Sequence, residues 1–506
     1  MKLQRSMLSI VVGLLLSFAL LPLLMMFFQT IYVEDAFTLT FYQNMLINPI
    51  LWETFKNSLM LSFLVAFLTT FIGTFLGILL GKTNLKFRFI LLIFLLVPLL
   101  IPPYILAYAW YTLLGNSPLL FGFVGTTFVL FSIYLPIPLL ISILFLKQIN
   151  PKMEEAALLD TRWISVLRYI TLPLISPSIL FSFLLVFMLS FGEFSVANFL
   201  RYPIFPMESF TQFSAFYDFK LATVTAMPML LLAFIVIIFQ KIFSEKSLRF
   251  TSPYKCLKID LKTRERYLFF ILILFLVTLI VLFPLFSLGM QVDVTSFILA
   301  SQKAVSPLIR SLIFATISAS FLVFFGFLSA YIIEHKKRYV SFFRTTILLL
   351  FLLPSTLIGI AFILFYNRSY TNFIYATPLI IIFAYIIKYL FLSSKIIESK
   401  LAQIPYSLIE SAQLSGASSR QIVWFIFLPL VKDALIVAWL VGFIFSLRES
   451  TLTMLLYPAG YDTLPLYIFT QMANGDPKII ASLSLIMILL VTLPLSIYLI
   501  LKWINK

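Results

Sequence analysis

Twelve stretches of this chain run for about 20 residues or more with almost no charge, the length a helix needs to cross a bilayer. They fall near residues 7–30, 57–80, 89–114, 119–146, 174–200 and 221–243, then near 267–290, 308–333, 345–366, 373–392, 430–456 and 478–502. In hydrocarbon every backbone N–H and C=O must be paired internally, so only helices and closed barrels span. Barrel strands alternate in polarity over about ten residues, and these runs do not. The expected fold is an all-α, polytopic transmembrane protein of about 12 spans. At 62% apolar and 11% charged over 506 residues, the chain is neither a secreted scaffold, a disordered chain nor a cytosolic enzyme.

Cys256 and His335 are the only residues of their kinds, so a structural disulfide or a zinc cluster is not expected, and no cofactor is. The net charge of +16 comes from basic residues in short loops between apolar runs, which points to membrane orientation and not to nucleic acid. With each run crossing once from an inner N-terminus, 28 of the 36 lysines and arginines fall on the inner side. By the positive-inside rule both termini are expected in the cytoplasm. Met1 to Thr30 carries Lys2 and Arg5 ahead of an apolar stretch without a small-residue cleavage site, and is expected to be a retained first span. The basic stretch 244–266 divides a first half, 1–243, from a second, 267–506.

The two halves repeat one another. A shift of 256 carries Glu154 onto Glu410, Ala156 onto Ala412, Leu172-Pro173-Leu174 onto Leu428-Pro429-Leu430, Ser190 onto Ser446 and Glu193 onto Glu449. Six spans per copy leave both copies in one orientation, a parallel repeat of the kind that builds transport folds.

Glu154-Glu155-Ala156-Ala157-Leu158-Leu159-Asp160 leading to Leu172-Pro173, and Glu410-Ser411-Ala412-Gln413-Leu414-Ser415-Gly416 leading to Leu428-Pro429, resemble the EAA loop of binding-protein-dependent ABC importer permeases. The whole chain, with Arg448-Glu449-Ser450-Thr451-Leu452 followed by Pro458, Gly460, Thr463 and Leu464, resembles the fused two-half permeases of the ferric-iron importer family. The resemblance implies type I ABC importer permease architecture in a bacterial cytoplasmic membrane. It implies ATPase docking through the loops at 150–173 and 405–429, with Glu154, Glu155, Ala156, Asp160, Leu172 and Pro173 in the first copy and Glu410, Ala412, Gly416, Leu428 and Pro429 in the second. It further implies two ATP-binding cassette subunits, an extracytoplasmic substrate-binding protein, contact with membrane lipid, and ferric iron as cargo. Thiamine, phosphonate or another small oxyanion is the alternative cargo, and a secondary transporter the alternative of another class. The first copy departs from the pattern: the glycine's place falls on Asp160, or on Thr161 if Glu155 leads, and either side chain can instead cap the second short helix.

No enzyme chemistry is expected of the chain itself. Gly77-Ile78-Leu79-Leu80-Gly81-Lys82-Thr83 is one residue short of a phosphate-binding loop and ends an apolar run, with its glycines at helix-packing spacing. Ionisable groups inside spans mark function or demand partners, and Glu193, Glu449, Arg448 and Lys388 are such groups. Glu193 and Glu449 hold equivalent places, where two carboxylates suit a hard cation with oxygen ligands from Tyr104, Tyr108, Tyr202 or Tyr217. The competing reading pairs Glu449 with Arg448 or another base and bonds Glu193 to backbone at a helix break by Gly192. Pro98, Pro102 and Pro103 in one half, and Pro354 with Gly359 in the other, predict breaks that either hinge a pathway or kink for packing.

Overall fold

The computed structural model describes residues 2–33, 35–243, 256–335 and 340–504. The first half contains α1 (Lys2–Ile31), α2 (Thr40–Ile47), α3 (Pro49–Lys82), α4 (Arg88–Leu100), α5 (Pro103–Leu114), α6 (Phe123–Tyr134), α7 (Pro136–Leu146), α8 (Pro151–Leu158), α9 (Trp163–Val166), α10 (Leu172–Phe191), α11 (Ser195–Phe199), α12 (Phe205–Ser214) and α13 (Phe219–Phe243). The second contains α14 (Thr263–Val277), α15 (Phe283–Gln291), α16 (Val294–His335), α17 (Val340–Leu352), α18 (Ser355–Tyr366), α19 (Asn372–Tyr375), α20 (Leu379–Leu401), α21 (Tyr406–Leu414), α22 (Ser419–Ile422), α23 (Leu428–Leu447), α24 (Thr451–Leu456), α25 (Leu464–Asn474) and α26 (Pro477–Ile504). Strands are confined, among the described residues, to a two-residue hairpin pairing Tyr32–Val33 with Ala36–Phe37.

The chain is an all-α, multi-pass membrane protein. Among the described residues nine helices are long and apolar enough to cross a bilayer, or eleven if each of two bent pairs counts as one span. The sixth-to-seventh boundary, expected at 244–266, lies outside the described residues up to position 255. The bent pairs are α4 with α5, turned by 101°, and α17 with α18, turned by 103°. Both bends were expected from the prolines, although the apolar runs 89–114 and 345–366 pass through them without a charged residue to mark the corner.

Prolines shape the straighter spans differently. Leu172, Phe283 and Leu428 each donate to the carbonyl five residues back, at Leu167, Thr278 and Val423, closing a short π-helical stretch, and each is followed by a proline. A proline ring clashes with the carbonyl four residues earlier and offers it no N–H, at a cost of about 3 kcal/mol in a regular helix. Widening the turn just ahead of the ring makes room for it.

The halves exchange outer elements. α5 contributes Tyr104, Ile105, Tyr108 and Ala109 to a core with Leu288, Ala300, Leu464 and Ile480 of the second half. The corresponding half-helix α18 contributes Leu357, Ile360, Ala361 and Tyr366 to a core with Leu16, Ala19, Leu23 and Met26 of the first half. Hydroxyls fix both exchanges: Tyr104 donates to the Pro465 carbonyl at 2.9 Å, and Tyr366 to the Phe18 carbonyl at 3.1 Å.

Candidate functional site

The two duplicated loops lie at corresponding places, but their anchoring differs. In the second, α21 ends in a Schellman turn: Ala417 N–H donates to the Ala412 carbonyl and Gly416 N–H to Gln413, both at 3.0 Å. Gly416 sits at φ +81°, the left-handed region where a β-carbon is strained. Ser418 then caps α22, accepting from Gln421 N–H while the Gln421 side chain accepts from Ser418 N–H at 2.7 Å, a reciprocal capping box. Ile409 and Phe427 are buried beneath, with Ala412 and Ala417 packed on them. Glu410, Leu414, Trp424, Phe425 and Pro429 face outward, and Leu428 is half-buried. Leu414, Trp424 and Phe425 make this the apolar part of an otherwise polar exposed surface.

In the first loop the buried position is a carboxylate. Glu154 forms a buried ion pair with Lys82, the last residue of α3, and accepts from the Thr171 hydroxyl at 2.7 Å. By burial, Glu154 therefore corresponds to Ile409, and exposed Glu155 to exposed Glu410. Helix α8 follows a shift of 255, whereas α9, the π-helical stretch and α10 follow the expected 256. The one-residue difference falls in the turn, where the second copy has its glycine. Neither expected cap forms there: Arg162 precedes α9 without a side-chain cap, and Thr161 turns back to bond the Ala157 carbonyl at 2.9 Å. Glu155, Ala156, Asp160 and Pro173 are exposed, and Leu172 is half-buried.

A strap reinforces the first loop. Ile259 N–H donates to the Lys82 carbonyl at 2.7 Å, Asn84 donates to Asp260 at 2.8 Å, and Leu261 N–H donates to Asn84 at 3.2 Å. Burial pushes the Cys256 thiol above its usual range, with nearby Lys82 opposing. The pseudo-phosphate-binding string is part of α3: a β-carbon at Gly77 would lie 2.8 Å from Ser142 Cβ, so that glycine serves close packing on α7. Lys82 and Thr171 were not singled out as partners of Glu154 in the sequence. The available signal was a lysine ending a span in the same half as a doubled glutamate.

The four intramembrane ionisable groups bond at helix ends, Lys388 reaching one from the middle of α20. Glu193 accepts from Ser195 N–H at 3.1 Å, Ser195 Oγ at 2.5 Å and Val196 N–H at 2.9 Å, capping α11. Glu449 accepts from Leu452 N–H at 3.0 Å, capping α24, and from the Tyr389 hydroxyl. Lys388 donates to the Leu353 carbonyl and Arg448 to the Leu99 carbonyl, each at a bend. Acids thus occupy helix N-termini and bases the C-terminal carbonyls, matching the helix dipoles. Glu193 takes the backbone partners of the competing reading, while Arg448 points to Leu99 and to the ring of Phe445, 5.1 Å away, and not to Glu449.

Tyr134 donates to the Leu189 carbonyl at 3.2 Å. The expected tyrosines go elsewhere: Tyr104 and Tyr108 bond the Pro465 and Pro477 carbonyls, Tyr202 packs on Phe123, and Tyr217 is exposed. Among the described residues no group of three or more His, Cys, Asp or Glu side chains is placed to hold a metal ion. Lys388 and Arg448, counted on opposite sides of the membrane by charge, are both buried at the bends.

Residues 73–249 and 322–506 match the family model for the binding-protein-dependent transport system inner membrane component. The chain is 25% identical over 411 residues to the ferric transport system permease protein FbpB of Actinobacillus pleuropneumoniae, covering 76% of this chain and 59% of that protein. It is 26% identical over 370 residues to the putative ferric transport system permease protein FbpB 1 of Haemophilus influenzae, covering 68% and 58%. A shorter match, 31% over 93 residues, joins it to the putrescine transport system permease protein PotI of Escherichia coli, covering 18% and 33%. The matches therefore span somewhat under three-fifths of the length of the two ferric relatives.

Proposed function

Because the chain belongs to the family of binding-protein-dependent transport system inner membrane components, we propose that it is the membrane-spanning subunit of an ATP-driven importer that carries ferric iron. The observation that carries this reading is the second loop, a capped helix pair that presents Glu410, Leu414, Trp424 and Phe425 outward over a buried base. A surface of that kind seats in a cleft of an ATPase, and the first loop offers Glu155, Ala156, Asp160 and Pro173 to a second one. Both loops and both termini face the cytoplasm in this reading, in a bacterial inner membrane, and a substrate-binding protein delivers cargo to the opposite side. The units are the halves 1–243 and 267–506, joined by the linker 244–266.

Iron is favoured over polyamine because the ferric relatives match 68–76% of the chain and the putrescine relative 18%. Glu193 and Glu449 enter as helix caps shaping the junction of the halves, with cargo selection left largely to the binding protein. The test is co-purification. Glu410→Lys with Gly416→Asp should release the ATPase while the permease stays inserted, since reversing a charge at a docked acid costs a few kcal/mol. Retention of the ATPase at the wild-type ratio would count against docking at this loop.

A further inference from the structure

Each bent span breaks where proline removes a backbone donor. The chain leaves α4 extended through Ile101 (ψ 138°) and Pro102 (ψ 134°), and neither Pro102 nor Pro103 has an N–H, so the carbonyl of Leu99 has no helical partner in its own chain segment. Arg448 supplies one: its guanidinium donates to the Leu99 carbonyl while stacking on Phe445. Arg448 is the residue that ends α23 in the second half, and Leu99 lies in the last turn of α4 in the first.

The other bend is served differently. Lys388, from the same half, donates to the Leu353 carbonyl just before Pro354. The position equivalent to Arg448 is Gly192, which ends α10 and lies directly against Pro354, where a β-carbon would come within 3.1 Å of the proline Cα. Each half therefore touches the other's bend with the residue that ends its long span. Only one of these contacts is a bond, and the first half's bend has to borrow its donor from the second.

We propose that Arg448 is a positioning residue that latches the two halves together at the α4–α5 bend, and that transport requires this bond to hold the bend in place. The inference rests on the permease reading, but its structural core can be tested without cargo. Ile101, buried at the bend, reports on it as Ile101→Cys in a chain whose Cys256 is replaced by Ser. In the purified full chain, Arg448→Met should raise labelling of that cysteine by a small thiol reagent by about tenfold, whereas Arg448→Lys, which keeps a donor, should stay near wild type.

A merely space-filling role for Arg448 would give Arg448→Lys and Arg448→Met the same increase in labelling and would overturn the latch. If Arg448→Met fails to accumulate, accumulation of Arg448→Lys supports the latch, and failure of both contradicts it. In cells whose wild-type chain imports iron, normal uptake by Arg448→Met at equal abundance removes the transport role. Absence of wild-type uptake would instead count against the permease reading and leave the labelling result standing.

Discussion

Lys82 and Glu154, 72 residues apart, form a buried ion pair that bolts the end of α3 to the first duplicated loop, with the Thr171 hydroxyl on the same carboxylate. The second loop seats the apolar Ile409 at that place.

Removing one partner of a buried pair strands a charge, at a cost of about 3–5 kcal/mol, while replacing both with apolar groups is often neutral. Lys82→Met alone should sharply lower membrane abundance, and Lys82→Met with Glu154→Ile, which copies the second loop, should restore most of it. Immunoblotting of membranes decides the matter, and equal loss in the single and double variants would show that the pair is not a closed unit.

Gly416 is required by its positive φ, and a β-carbon there costs about 1–2 kcal/mol. Gly416→Ala should weaken ATPase retention with little loss of permease abundance, because nothing lies within 4 Å of the added carbon. Inserting a glycine between Asp160 and Thr161 gives the first turn the length of the second, and the chain should still fold. Failure to insert would argue that the copies differ by more than one turn residue.

Much of the molecule was legible in the sequence, and what was hidden has physical reasons. Apolar length revealed the spans, and the Leu-Pro-Leu repeat aligned α10 with α23, because helices of equal length under one packing constraint keep their spacing. The register of the first loop was hidden, since a missing residue inside a turn shifts everything before it by one, and only burial separates Glu154 from Glu155. The Arg448 bond to Leu99 was hidden for another reason: its partner is a backbone carbonyl 349 residues away, and a carbonyl leaves no trace in residue identity.

Glu193 and Glu449 cap different helices, so Glu193→Gln and Glu449→Gln should each cost about 0.5–2 kcal/mol and add to within about 0.5 kcal/mol. The loss should appear as reduced thermal stability and abundance. If both single variants and the double instead share one loss of iron uptake at normal abundance, the carboxylates act together on the cargo.

Asp293 offers a pH test outside the spans. Hydrogen bonds from Lys478 and Ser296 lower its pKa from 3.8 to about 2. A depressed folded-state pKa contributes stability above the unfolded value that is lost as pH falls through the folded one. Asp293→Asn should therefore destabilise the purified protein at neutral pH, and the gap should close between about pH 4 and pH 2. A gap unchanged across that window would mean that the carboxylate charge does not contribute.

The most direct measurement is uptake of radioactive ferric iron into vesicles that contain this chain, its ATPase and its substrate-binding protein. Iron should accumulate only with ATP and binding protein both present, and Glu410→Lys with Gly416→Asp should abolish accumulation at unchanged permease abundance. Accumulation that proceeds without ATP, or that survives in the double variant, would contradict the assignment of this chain as an ATPase-coupled ferric permease.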